Sequence, residues 1–229
     1  MPQSSAVPVE SAQSEFELPE SGRPKSGRPE SGRPESGAIA AEDALRAQGY
    51  RLLAHFLTAP PSQQDLDAGA ALSGDDTALG RAITCFANLC GKSAAATVAE
   101  EYQDLFIGIG RGELVPYGSY YLTGFLQEKP LAKLRQEMAR LGLERDPDSP
   151  EPEDHIASIL EMMAGFIDGT PGPLMSLGEQ KQFYDVHLGA WVETFFRDLE
   201  DAKASVLYAA LAGVGRAFFN IEERGFEMA

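Results

Sequence analysis

Apolar residues recur along most of this chain at the three- and four-residue spacing of helices that bury one face. Leu45, Leu52, Leu53, Phe56 and Leu57 form one stripe, which Pro60-Pro61 ends. Ser62 with Asp65 has the form of a capping box and predicts a short second helix. Leu79, Ala82, Ile83, Phe86, Leu89 and Cys90 make a third stripe, closed by Gly91. Ser93 is placed to cap a fourth segment, which carries Val98, Tyr102, Leu105 and Phe106 until Gly108, Gly110 and Gly112 interrupt it. Pro116 to Gly124 reads as aromatic and irregular. Pro130 then sits in the first turn of a helix with Leu131, Leu134, Met138 and Leu141 on one face and Gly142 as its terminator. Ile156, Ile159, Leu160, Met163 and Ile167 line the next helix. A Pro/Gly break at 169–173 precedes two long helices, expected over roughly 177–200 and 202–223. Phe183, His187, Trp191 and Phe195 form a core stripe on the first; Val206, Tyr208, Leu211, Val214 and Phe218 serve the second. No period-2 strand or Asn-Gly hairpin appears, so the expected class is all-α.

The first 37 residues differ in kind. Residues 21–35 repeat Ser-Gly-Arg-Pro-(Lys/Glu) three times, a composition that breaks helix and strand and offers almost nothing to bury. A disordered extension is expected there, followed by an N-terminal helical part (38–143), a hinge rich in Asp, Pro and Glu (144–153), and a C-terminal helical part (154–229). The 229 residues carry a formal charge of −16. Four basic and six acidic residues in the tail account for −2, which leaves −14 on residues 38–229. That balance argues against nucleic acid and against a polybasic membrane anchor, and favours a basic partner. No apolar run is long enough to span a bilayer and no secretory leader is visible, so stable membrane insertion is not expected and a cytoplasmic setting is. Cys85 and Cys90 fall on different faces of one helix, which disfavours a disulfide between them.

Few side chains are arranged for chemistry. Gly108-Ile109-Gly110-Arg111-Gly112 lacks the lysine and hydroxyl of a phosphate loop and reads as a helix-ending turn. His55, His155 and His187 are dispersed, and two cysteines cannot complete a zinc or iron–sulfur site; no metal or catalytic set is assigned. Glu151-Pro152-Glu153-Asp154-His155-Ile156 is the sharpest motif. Its acidic residues suit a helix start. Asp154 and His155 could form an acid–base pair, although neighbouring helix positions do not face one another, so an architectural role is favoured. In Pro116-Tyr117-Gly118-Ser119-Tyr120-Tyr121, three tyrosines fit either a half-polar groove or a buried loop anchor.

These motifs, together with Glu101-Tyr102-Gln103-Asp104-Leu105-Phe106-Ile107-Gly108 and the spacing of Phe183, His187, Trp191, Phe195 and Phe218, resemble the TorD/DmsD/NarJ family of cytoplasmic molybdoenzyme chaperones, also called redox enzyme maturation proteins. The resemblance covers residues 40–223. It implies an all-helical bundle of the TorD type, no enzymatic turnover, and two bound partners: an apo-molybdoenzyme catalytic subunit and its twin-arginine signal peptide, held back until cofactor insertion. The client-binding residues it implies are Pro116, Tyr117, Ser119, Tyr121, Glu151, Asp154 and His155. The family often has Glu where this chain has Gly118, which removes one carboxylate from the implied groove. No cofactor is implied beyond the weak guanine-nucleotide binding of some members, and the implied assembly is a monomer or a domain-swapped dimer. A helical adaptor without signal-peptide preference, and a hydrolase using His155, are the competing readings.

Overall fold

A computed structural model of the chain describes residues 40–145, 150–170 and 172–228. The Ser-Gly-Arg-Pro tail (1–37) and residues 146–149 of the expected hinge lie outside the described residues. Among the described residues there are ten α-helices and no strand: α1 (Ala41–Thr58), α2 (Gln63–Ala70), α3 (Ala78–Cys90), α4 (Ala95–Tyr102), α5 (Gly118–Thr123), α6 (Lys129–Leu141), α7 (Ile156–Asp168), α8 (Leu177–His187), α9 (Val192–Asp201) and α10 (Leu207–Glu227). The all-α class is thereby established.

α7 is the hub. Ile156, Ile159, Leu160, Met163, Phe166 and Ile167 are all buried, so it is apolar on nearly every side, as a central helix must be. α1 packs along it, while α10 packs on α3 and α9. At the α9–α10 crossing any side chain on Gly215 would run into the Phe196 ring, so a glycine there lets the two helices approach. Residues 38–229 form one compact unit.

Local signals set several boundaries. The Ser62 capping box is present, with Asp65 N–H donating to Ser62 Oγ at 3.2 Å and Ser62 N–H donating to Asp65 at 2.8 Å. Gly142 ends α6 at φ 70°. Elsewhere tertiary contacts decide. Ser93 does not cap α4; its hydroxyl turns back to Leu89 O at 2.8 Å, and the chain enters α4 through Ala94. Pro116–Gly124 contains the six-residue helix α5, and the fourth segment passes from α4 into a π-helical turn, Gln103–Ile107. The expected long helix 177–200 is two helices. Leu188 and Gly189 N–H both donate to Tyr184 O, at 2.9 and 2.8 Å, and Trp191 Nε1–H takes the freed carbonyl of His187 at 2.7 Å. The break keeps Phe183, His187, Trp191 and Phe195 all buried.

Glu101, at the end of α4, accepts the N–H groups of Val206, Leu207 and Tyr208 at 2.7, 3.2 and 2.8 Å and so caps the start of α10. Its neighbour Tyr102 donates to Thr58 O at 3.1 Å, and Tyr208 donates to Phe56 O at 2.9 Å, which closes the end of α1. Glu101→Ala strands three amide donors and is expected to cost about 2 kcal/mol, lowering Tm by roughly 4–8 °C. Glu101→Gln, which still accepts, should lose less; circular dichroism melts of the two variants check the order.

Candidate functional site

The two motifs singled out in the sequence meet. Tyr117 and His155 form an isolated antiparallel bridge. Ile156 N–H donates to Pro116 O at 2.8 Å and Gly118 N–H to Asp154 O at 2.9 Å. One carboxylate oxygen of Asp154 accepts Ser119 N–H at 2.8 Å, at the start of α5. His155 is the N-cap of α7: its Nδ1 accepts Ala157 N–H at 3.2 Å, and its ring meets that of Tyr117 edge-on at 5.1 Å. The segment before α7 is thus stitched to the segment before α5, and each motif caps a helix.

Burial splits the seven sequence-predicted residues. Ser119, Asp154 and His155 are 0, 3 and 5 % exposed, and Pro116 is buried with them. Tyr117, Tyr121 and Glu151 are only half-buried. Burial lowers the His155 pKa to about 4, despite the opposing pull of Glu151 and Asp154, so the ring is neutral at pH 7 and free to accept through Nδ1. Among the described residues, Ser119 Oγ and Asp154 Oδ1 are buried without a hydrogen-bond partner.

The half-buried tyrosines each rest on a carboxylate. Tyr117 donates to Glu151, and Tyr121 donates to Asp198 of α9 at 3.2 Å while stacking on Trp191 at 5.3 Å. Burial, aided by those carboxylates, pushes both phenols well above their ordinary range, so they remain donors. Arg135 of α6 binds Glu153 at 2.7 Å; burial alone would raise that carboxyl, but the Arg135 hydrogen bond, a backbone hydrogen bond and the guanidinium charge together hold it below the usual range. Arg111 of the glycine-rich turn lies over the Tyr120 ring at 4.9 Å and donates to its hydroxyl. Leu122, Phe125 and Leu126, on and just after α5, are exposed. Gly118 packs beneath Trp191, whose ring would stand 3.4 Å from a Cβ at that position. Asp198 was not singled out by sequence reasoning: it lies 77 residues from Tyr121 and belongs to no motif.

Among the described residues, no group of three or more His, Cys, Asp and Glu is placed to hold a metal, and no helix is long and apolar enough to cross a membrane. Cys85 is exposed and Cys90 buried, both as free thiols.

An all-helical bundle presenting tyrosines, carboxylates and exposed apolar side chains has the make-up of a chaperone that holds another polypeptide. Comparison with known proteins gives the family. The model of the nitrate reductase delta subunit family matches residues 72–197, and the chain belongs to this family, the TorD/DmsD/NarJ chaperones of molybdoenzymes. The chain is 27 % identical over 193 residues to the chaperone protein TorD of Vibrio cholerae serotype O1, covering 76 % of this chain and 88 % of that one. It is 29 % identical over 126 residues to the "Probable Tat proofreading chaperone DmsD" of Haemophilus influenzae, covering 54 % and 59 % respectively. The crystal structure of a protein described as a redox enzyme maturation protein from Archaeoglobus fulgidus superposes with a TM-score of 0.53. It covers 82 % of this chain and 99 % of that one at 22 % identity, a likeness of fold.

Proposed function

We propose that this chaperone binds an apo-molybdoenzyme catalytic subunit through its twin-arginine signal peptide, in the cytoplasm, and delays export until cofactor insertion. The site comprises Tyr117, Tyr121, Glu151 and Asp198 at its face, with Pro116, Ser119, Asp154 and His155 buried behind them. The observation that carries the reading is the pairing of Tyr117 with Glu151 and of Tyr121 with Asp198 beside the exposed Leu122, Phe125 and Leu126. A phenol is a replaceable partner. An incoming guanidinium binds a carboxylate more strongly and bidentately, and the apolar side chains meet the stretch that follows the arginines. Ser119, Asp154 and His155 hold that surface from beneath, through the caps of α5 and α7.

Glu151→Gln with Asp198→Asn should lower capture of the client by about a hundredfold or more, since each loses a charge-assisted hydrogen bond of roughly 1.5–3 kcal/mol. Replacing the peptide's arginines with lysines should have a similar effect, because lysine lacks the planar fork. Affinity purification from native cells, with identification of the co-purifying oxidoreductase, is the measurement. Undiminished capture by the double variant would falsify the site. Exchange of the parts either side of residues 144–153 would give a domain-swapped dimer, which size-exclusion chromatography distinguishes from the monomer.

A further inference from the structure

The stretch between α9 and α10 is held from outside. Ser205 N–H donates within it, to Ala202 O at 3.1 Å. The amides on either side go to two glutamates of the segment 101–113. Lys203 and Ala204 N–H donate to Glu113 at 2.9 and 3.3 Å, and the start of α10 donates to Glu101. Amides held by side chains rather than by a helix ladder can be released locally, without unfolding the elements they join.

Glu113 closes the glycine-rich turn, and that turn is a stiff unit. Gly108 N–H donates to Gln103 O at 2.7 Å, Glu113 N–H to Asp104 O at 3.1 Å and Leu114 N–H to Leu105 O at 2.8 Å. Both ends are thereby stitched to the π-helical turn. Gly108 bends the chain at φ 62°, where a side chain would strike the Arg111 carbonyl. Arg111, two residues before Glu113, lies over the Tyr120 ring and donates to its hydroxyl. The turn therefore holds α5 through Arg111 and the α9–α10 connection through Glu113, with Gly112 alone between the two contacts. α5 reaches the same region a second time, because Tyr121 donates to Asp198, three residues before the end of α9.

We propose that residues 108–113 form a strap through which Arg111 and Glu113 position α5 on the α9–α10 connection, so that occupation of the client face at Tyr121 is felt at the start of α10. Both are positioning residues, acting through Tyr120 and through the connection. When an incoming guanidinium takes Asp198 from Tyr121, α5 keeps its tie to Arg111 and loses the other. The displacement passes through the stiff turn to Glu113, and the Lys203 and Ala204 amides are released while Glu101 still holds the first turn of α10. The inference rests on the client reading above only for what occupies that face; the strap belongs to the free chain.

The test is residue-resolved amide hydrogen exchange by NMR on the full chain. Tyr120→Ala removes the platform under Arg111 and leaves both hydrogen bonds to Glu113 chemically intact. It should speed exchange of the Lys203 and Ala204 amides about fivefold, what the loss of one ordinary hydrogen bond allows. Arg111→Ala, at an exposed position, breaks the same contact from the turn and gives the same reading should Tyr120→Ala fail to fold. Glu113→Ala releases the two amides directly, and adding Tyr120→Ala to it should change nothing further. Glu113→Gln, which still accepts, should restore part of the protection and with it the response to Tyr120→Ala. A synthetic twin-arginine peptide at saturation should act on the wild type as Tyr120→Ala does. Unchanged exchange at Lys203 and Ala204 in Tyr120→Ala, or effects of the Tyr120 and Glu113 variants that simply multiply, overturns the strap. So does an equal rise at the buried amides of α7, which would mean a general loosening, and so does a bound peptide that leaves 203 and 204 protected. The client reading fails separately. If no such peptide binds, the face at Glu151 and Asp198 falls, while the variants of the free chain still decide the strap.

Discussion

Lowering the pH from 7 to 5 is expected to destabilise the protein before its carboxylates titrate. Burial lowers the pKa of both His155 and His187 to about 4, whereas in an unfolded chain each would stand at about 6.5. Between those values the unfolded state binds protons that the folded state refuses. The stability these neutral rings confer is complete above pH 6.5 and is lost as pH falls towards 4. At pH 5 the loss from His155 is about 2 kcal/mol. His187, which lies nearer the surface between Glu137 and Lys133, should add a smaller share. Urea titrations across this range read the effect directly. His155→Asn keeps a side-chain acceptor for the Ala157 amide and removes the proton site, so it should flatten most of the slope. A stability that stays level from pH 7 to 5 would show that these rings are not held neutral. The lowered carboxyls, Glu153 and Asp168 among them, contribute separately: their stabilisation disappears only below the ordinary carboxylate range.

Glu222→Ala should be among the most damaging single substitutions. This carboxylate of α10 is 3 % exposed and receives the Arg46 fork from α1 together with the Tyr50 hydroxyl at 2.9 Å. Arg46 is also tied to Gln180 of α8 at 3.2 Å, so one residue links three helices. Removing Glu222 strands the buried Tyr50 phenol and leaves the Arg46 guanidinium only Asp43, at 2.9 Å, and Gln180. A loss of about 2–3 kcal/mol follows, most of it from the phenol. Glu222→Gln keeps an acceptor for one of them and should recover part of it. Chemical unfolding of both variants measures the difference; equal stability of Glu222→Ala and the wild type would mean that the two donors find solvent.

What the sequence revealed follows the range of the interactions involved. The capping box of α2, the end of α6 at Gly142 and the apolar stripe of α7 depend on residues within a few positions of each other, and each is where the pattern puts it. The break between α8 and α9 depends on Trp191 reaching the His187 carbonyl from a packed position, and no proline announces it. The stripe of α1 was legible, but Leu45 at its start is exposed, because periodicity marks a face without saying what covers it. The site shows the same division. Two motifs far apart in sequence could be named, and their antiparallel pairing could not. The Asp154-His155 pair looks chemical on paper; in the fold each residue terminates a different helix. Asp198 and Glu113 carry no local signature at all.

The Glu101 contact bears on how the chain folds as it is made. The donors that this carboxylate holds lie about 105 residues further on, and α3 finds its main helical neighbour in the same late segment. At ribosomal speeds of roughly 5–20 residues per second, the early helices wait several seconds for that partner. In that interval α1 and α3 present to the cell the apolar faces that α10 will later cover. A chaperone of this architecture is itself, while nascent, in need of shielding.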